Sequence, residues 1–69
     1  MKISARNILK GKVQKMVKGP VSTEVLVELP GGEVKTSVIT KESADSLQLK
    51  EGKEVYAVIK STNVMIVTD

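Results

Sequence analysis

Alternation of apolar and polar residues dominates the chain. Between Thr23 and Leu29 it is close to ideal: Thr23, Val25, Val27 and Leu29 point one way, and Glu24, Leu26 and Glu28 the other. That two-residue period is the signature of a strand with one buried face. Pro30-Gly31-Gly32 follows as a turn, and Glu33–Ile39 resumes the alternation with Val34, Thr36 and Val38. Two such runs around a Gly-rich turn predict a hairpin. Upstream, Lys10–Val17 has the same character less regularly, with Val13, Met16 and Val17 as its apolar members, until Gly19-Pro20 breaks it. After the hairpin the period changes. Thr40 is a suitable N-cap, and Lys41–Leu47 sets Ala44 and Leu47 three residues apart with Glu42 and Asp45 near its start, which predicts a helix of about two turns. Gly52 marks a turn, and Glu54–Lys60 alternates again, with Val55, Ala57 and Ile59 opposed to Glu54, Tyr56 and Val58. Asn63 interrupts, and the aliphatic run Val64–Val67 predicts a short final strand.

Strand, strand, strand, short helix, strand, strand is the order of the OB-fold. The expected architecture is all-β: a small five-stranded OB-like barrel with one short helix between strands 3 and 4. An SH3-like barrel is the nearest rival, its helical element being later and shorter, and the pattern alone leaves it open. A length of 69 residues predicts one domain spanning 1–69. At this size folding hides only about 60% of the surface of the unfolded chain. Domains this small gain stability from disulfides, a metal or association. The sequence has no Cys and no His, which removes disulfides and the usual transition-metal ligands together. A homo-oligomer is the remaining expectation.

Several function classes lose ground on composition. Without His or Cys, the Ser–His and Cys–His nucleophile systems are excluded. A Ser–Lys pairing is formally open, but no local spacing argues for it. The carboxylates are scattered over strand faces and turns, Gly31-Gly32 reads as a hairpin turn and not a phosphate loop, and the chain reads as a non-enzyme. Apolar content is 41%, almost all aliphatic, and no run approaches the roughly 20 residues of a membrane span. The start, Met1-Lys2-Ile3-Ser4, lacks the apolar stretch of a secretory signal, so a cytoplasmic location and no membrane contact are expected.

Charge then sharpens the picture. The formal net charge is +3, but Lys2, Arg6, Lys10, Lys12, Lys15 and Lys18 fall within Met1–Pro20 without one acidic residue. Such asymmetry suits a polyanion or a small anion, although lysines alternating along a strand also simply solvate its outer face or guard an edge. A nucleic-acid-binding OB module stacks bases on aromatic side chains; here Tyr56 is the sole aromatic, and nucleic acid is not the expected partner. Three segments instead concentrate donors for a small anion: Ser4-Ala5-Arg6-Asn7, Thr40 with Ser43, and Lys60-Ser61-Thr62. A tetrahedral dianion stripped of water needs counter-charge and many donors, which ammonium, guanidinium, hydroxyl and amide groups supply. Amides at a helix start already face an anion. Singly, each segment has a plainer role as terminus, helix cap or strand end.

Taken in order, the segments resemble the molbindins, the molybdate-binding Mop family of TOBE/OB-type domains. The resemblance runs from Ile3-Ser4-Ala5-Arg6-Asn7 and Leu9-Lys10-Gly11-Lys12-Val13, through Lys18-Gly19 before Val21, Val38-Ile39-Thr40 with Ser43, and Leu49-Lys50-Glu51-Gly52, to Val58-Ile59-Lys60-Ser61-Thr62 with Val64-Met65-Ile66. It implies an OB-like domain, a hexamer arranged as a trimer of dimers, and molybdate or tungstate bound at subunit interfaces, with no organic cofactor. Such domains also serve as modules of molybdate transport ATPases and regulators; the stand-alone form implies storage or buffering. Carried over by position, the main oxyanion site comprises Ser4, Ala5, Arg6, Thr40, Ser43, Lys60 and Ser61. Lys60 is then the chief counter-charge, Ser4 and Ser43 direct donors, and Ala5 a residue that matters for its small size. A second oxyanion site nearer a threefold axis would use Gly19 and Val21, with Pro20 between them lacking an amide donor. A purely structural oligomerisation domain is the third alternative, and the donor clusters speak against it.

Overall fold

The computed structural model describes residues 2–69. Four strands, one α-helix and one 3-10 turn follow the chain: β1 Asn7–Lys18, β2 Ser22–Glu28, β3 Val34–Thr40, α1 Lys41–Ser46, β4 Glu54–Ile59, and η1 Ser61–Asn63. All pairings are antiparallel, in the order β3-β2-β1-β4. The result is a curled, mostly β half-barrel of OB-like form with one short helix.

β1 is the spine of the sheet. Its first half, Asn7–Lys12, pairs with β4, and its second half, Lys12–Lys18, pairs with β2. A single strand that serves two neighbours over different halves must bend, and a bulge between Val13 and Lys15 supplies the bend. The bulge also explains the irregular apolar pattern, because it shifts the inward positions from Leu9, Gly11 and Val13 to Met16. Val17, counted among the apolar members of the run, is accordingly turned out and 49% exposed. The strand starts at Asn7, three residues before the predicted Lys10, since Asn7, Ile8 and Leu9 find partners in Ile59, Val58 and Ala57. At Val13 the backbone is held by the turn before β4: Val13 N–H donates to the Lys53 carbonyl at 2.9 Å and Gly52 N–H to the Val13 carbonyl at 2.8 Å.

The predicted hairpin joins β2 and β3 through Pro30-Gly31-Gly32, closed by Leu29 N–H to Glu33 C=O at 2.7 Å and Gly32 N–H to Leu29 C=O at 2.9 Å. The two strands do not share the predicted parity. Ser37 is the cross-strand partner of Val25, Lys35 of Val27 and Ile39 of Thr23, and opposed residues share a face. Ile39, not Val34, Thr36 and Val38, therefore meets the core; Val38 is 67% exposed.

The core is small: Val13, Val25 and Val27, with Met16, Leu29, Ile39, Leu49 and Val55 packed around it. Thr23, almost fully buried, has a hydroxyl without a hydrogen-bond partner among the described residues. Ala44 anchors α1 from the other side, whereas Leu47, its predicted partner on the helix face, ends the helix and stays exposed.

The fifth strand is not formed. Val64–Val67 lies outside the sheet with Met65, Ile66 and Val67 about nine-tenths exposed. A strand requires an edge to bond, and after η1 the segment pairs with none in its own chain. Four strands replace the expected five.

Candidate functional site

The site residues proposed from sequence fall into two groups at opposite ends of β1. The first group gathers at its Asn7 end. Asn7 pairs with Ile59, the last residue of β4, and the Asn7 Nδ2 donates to the Ile59 carbonyl at 3.3 Å. Beyond that final pair the two strands deliver Arg6 from one side and Lys60 from the other, followed by Ala5, Ser4 and Ser61. Ala5 is half-buried, and Ser4, Arg6, Lys60 and Ser61 are exposed. Lys60 precedes η1, where Asn63 N–H donates to its carbonyl at 2.9 Å, so the backbone here is fixed by a turn. The ion pairs among the described residues are Lys10–Glu54 and Lys35–Glu33. Arg6 and Lys60, which flank the Asn7–Ile59 pair, make no ion pair with a carboxylate among the described residues. Asn7 was read from sequence only as part of a donor segment; its role as the clasp between β1 and β4 depended on a pairing that no local pattern displays.

The second group lies at the Lys18 end. Lys18 pairs with Thr23, and the adjacent Ser22 pairs with Thr40. Thr40 caps α1 as expected: its Oγ1 accepts from the Ser43 amide at 3.0 Å and donates to the Ser43 Oγ at 2.8 Å. That capping uses the Ser43 amide but leaves the Ser43 hydroxyl hydrogen available, since the oxygen acts here as acceptor. Gly19 and Val21, proposed for a separate second site, belong to this same corner. Lys41 N–H donates to the Val21 carbonyl at 3.0 Å and Gly19 N–H to the Ser22 carbonyl at 2.8 Å. The Val21 side chain is 77% exposed.

No hydrogen bond or ion pair among the described residues joins Lys60 to Ser43, and the strands that carry their segments pair with or adjoin opposite halves of β1. β1 has 12 residues and bends at the bulge between Val13 and Lys15, and the whole molecule measures 37 × 26 × 23 Å. The first group holds Arg6 and Lys60 with the hydroxyls of Ser4 and Ser61, and the second holds Thr40 and Ser43 at the start of α1, next to Lys18 and Lys41. No cluster of metal-ligating side chains occurs among the described residues, and none of their helices is long and apolar enough to cross a membrane.

Two hollows flank these groups. One, of about 400 Å³, lies on the strand junction beside Lys10, Lys12, Glu28 and Glu54, where charges of both signs alternate. The other, of about 340 Å³, is the open inner face of the half-barrel between β3 and β4. Neither contains the residues of either donor group.

Comparison with known proteins places this geometry. The family model for the TOBE domain matches residues 3–66. The chain is 56% identical over 66 residues to molybdenum-pterin-binding protein 3 of Clostridium pasteurianum, covering 96% of this chain and 97% of that protein. Among solved structures, the apo form of MopII from Clostridium pasteurianum superposes with a TM-score of 0.92 at 52% identity, covering 97% of this chain and all of that one. A molybdate-bound form of the cytoplasmic molybdate-binding protein ModG superposes with a TM-score of 0.91 at 46% identity, over 94% of this chain and 46% of that longer one. With the curled sheet, the short helix after β3 and identity of this extent from end to end, the chain belongs to the molbindin family of TOBE domains.

Proposed function

We propose that this protein binds molybdate, with tungstate as a close alternative, as a cytoplasmic storage or buffering protein without enzymatic activity. Residues 1–69 act as one domain in a homo-oligomer, a hexamer built as a trimer of dimers, and the oxyanion sits where copies meet. No organic cofactor takes part. The likeness to proteins named for binding molybdenum or molybdate supports the choice of ligand.

The observation that carries the interfacial reading is the division of the donor residues between the two ends of β1. A tetrahedral dianion needs counter-charge and a full shell of donors at once. Lys60 and Arg6 supply charge at one end, and Ser43, Thr40 and the neighbouring backbone supply donors at the other. Bringing the Lys60 end of one copy to the Ser43 end of another completes a shell that neither end has alone. Ala5, half-buried at the first end, leaves room for the anion by lacking a long side chain.

The proposed shell is made of donors. Hydroxyls alone can also accept, so it favours a fully deprotonated dianion over phosphate, which carries a proton near neutral pH and asks for an acceptor. The relatives' names pair molybdenum with pterin. The sole aromatic, Tyr56, is 54% exposed on β4 and borders the hollow of about 340 Å³, which none of the donor residues line, and the charged, hydroxylic character of the two groups fits the oxyanion better than a ring.

Calorimetric titration with molybdate, tungstate, sulfate and phosphate tests this reading. Molybdate and tungstate are expected to bind at least about tenfold more tightly than phosphate, a margin of only about 1.4 kcal/mol. Equal affinity for all four, or none for molybdate, removes it. Light scattering on the same sample is expected to give the mass of about six chains, as oligomerisation of a domain this small would favour.

A further inference from the structure

Asn7 closes the ladder between β1 and β4 twice over. Its backbone forms the last register pair, with Ile59, and its half-buried side chain spans the same pair, Nδ2 donating to the Ile59 carbonyl at 3.3 Å. A carbonyl can only accept, so the nitrogen of the carboxamide is the atom that faces it. That carbonyl belongs to the peptide linking Ile59 to Lys60, which is planar and trans. Holding its oxygen therefore also fixes the direction of the Lys60 N–H, which points the opposite way. On the other side of Lys60, Asn63 N–H donates to the Lys60 carbonyl at 2.9 Å as η1 begins. Both peptide planes at Lys60 are thus held, one by a side chain from β1 and one by the turn. Only the exposed stem of Lys60 is left to move.

The residues that continue the two strands are Arg6 and Lys60, which the register would set opposite each other if the ladder ran on. Like charges opposed on neighbouring strands weaken the pairing, so these two ends tend to part. The uncharged carboxamide of Asn7 ties them at the last position before the two cations. We infer that Asn7 is a positioning residue for the oxyanion site: it holds the end of β4 against β1, so that Lys60 leaves from a fixed backbone before any anion arrives.

The inference rests on the proposed role of Lys60 as chief counter-charge, and it adds a residue that acts through Lys60 and not on the anion. A long lysine stem loses rotamer freedom when its ammonium is captured. A backbone that had to be ordered at the same moment would add to that cost, and one already ordered removes it.

A double-mutant cycle in the intact oligomer, read beside ¹⁵N relaxation of the ligand-free protein, tests the inference. Asn7→Leu keeps the size of the side chain and removes the donor. It is expected to weaken molybdate binding about fivefold, close to the worth of one hydrogen bond. In a Lys60→Ala background the same substitution is expected to change affinity less than about twofold, because the residue it acts through is gone. In a Ser43→Ala background, altered at the other donor group, the full loss is expected to return. Asn7→Ala, which cannot crowd the strand ends, is expected to reproduce the cycle. Equal losses in all three backgrounds mean that Asn7 only supports the fold and overturn the inference, as does an unchanged affinity in the native background. Lys60→Ala that binds molybdate as tightly as the native protein removes the site reading itself, and this inference with it. Without molybdate, amide order parameters at Lys60 and Ser61 are expected to fall from about 0.85 toward 0.6 in Asn7→Leu. Values that stay rigid overturn the inference whatever the protein binds.

Discussion

Gly11 shows how much of the fold rests on single residues. It is buried where β1 passes close over the end of β2, and a Cβ there would stand 2.6 Å from the Glu28 carbonyl oxygen and 2.8 Å from a Val27 methyl. A backbone oxygen cannot swing aside as a flexible side chain can. Gly11→Ala is expected to cost about 1–3 kcal/mol, the usual penalty of overpacking, read as a lower midpoint of thermal unfolding; an unchanged midpoint would mean that β1 can move away freely. For the site, the corresponding residue is Lys60. Removing one partner of a desolvated charge pair costs roughly 2–5 kcal/mol, so Lys60→Ala is expected to weaken molybdate binding at least about tenfold. Lys50→Ala, in the exposed turn before β4, carries the same change of net charge and is expected to leave affinity nearly as it was, as a screened surface charge would. Equal losses in two intact oligomers would deny Lys60 a special role. At this scale the sequence was informative about residue type and silent about company: Thr40 as a helix cap was legible, because capping is local, while the clasp between Asn7 and Ile59 links residues 52 positions apart.

Among the elements, β2, β4 and α1 follow their sequence patterns closely, since each is regular and short. The departures each have a cause that the pattern does not contain. β1 looked imperfect because a bulge changes its parity midway. β3 carries valines at Val34 and Val38, yet pairing with β2 sets its inward face by register, and the valines point out. Register is decided by the hairpin turn and the neighbouring strand, and a slip of one residue exchanges the faces. The helix end shows a further link that was missed. Lys53 Nζ donates to the Leu47 carbonyl at 2.6 Å and to the Gln48 carbonyl at 3.3 Å, closing the chain reversal in which Gln48 takes a left-handed φ of 53°. Lys53 therefore ties the end of α1 to the turn before β4. Lys53→Ala is expected to destabilise the protein by about 1 kcal/mol, the net value of a hydrogen bond or two to exposed carbonyls, and to leave molybdate affinity in the intact oligomer unchanged. Calorimetric unfolding beside a molybdate titration checks both halves; a loss of affinity without a loss of stability would place Lys53 in the site.

At the scale of the whole molecule, the chain is a half-barrel with a thin core, exposed valines on β3, an exposed apolar segment and donor groups at opposite ends of β1. These features have a common resolution in association, which lets small domains bury what they cannot bury alone. The sequence displayed the thin core and the donors, whereas their separation depends on sheet order and curl, which arise only when all the strands are assembled. The central claim is that one oxyanion site takes Lys60 from one copy and Ser43 from another. Complementation tests it most directly. Lys60→Ala and Ser43→Ala are prepared separately, each is confirmed as an intact oligomer with weakened molybdate binding, and equal amounts are unfolded, mixed and refolded. With random assembly, about a quarter of the sites should then combine an intact Lys60 with an intact Ser43 from different chains and regain native affinity, as shared interfaces require. A mixed oligomer that recovers no tight site would show that both residues act from the same chain, and would contradict the account.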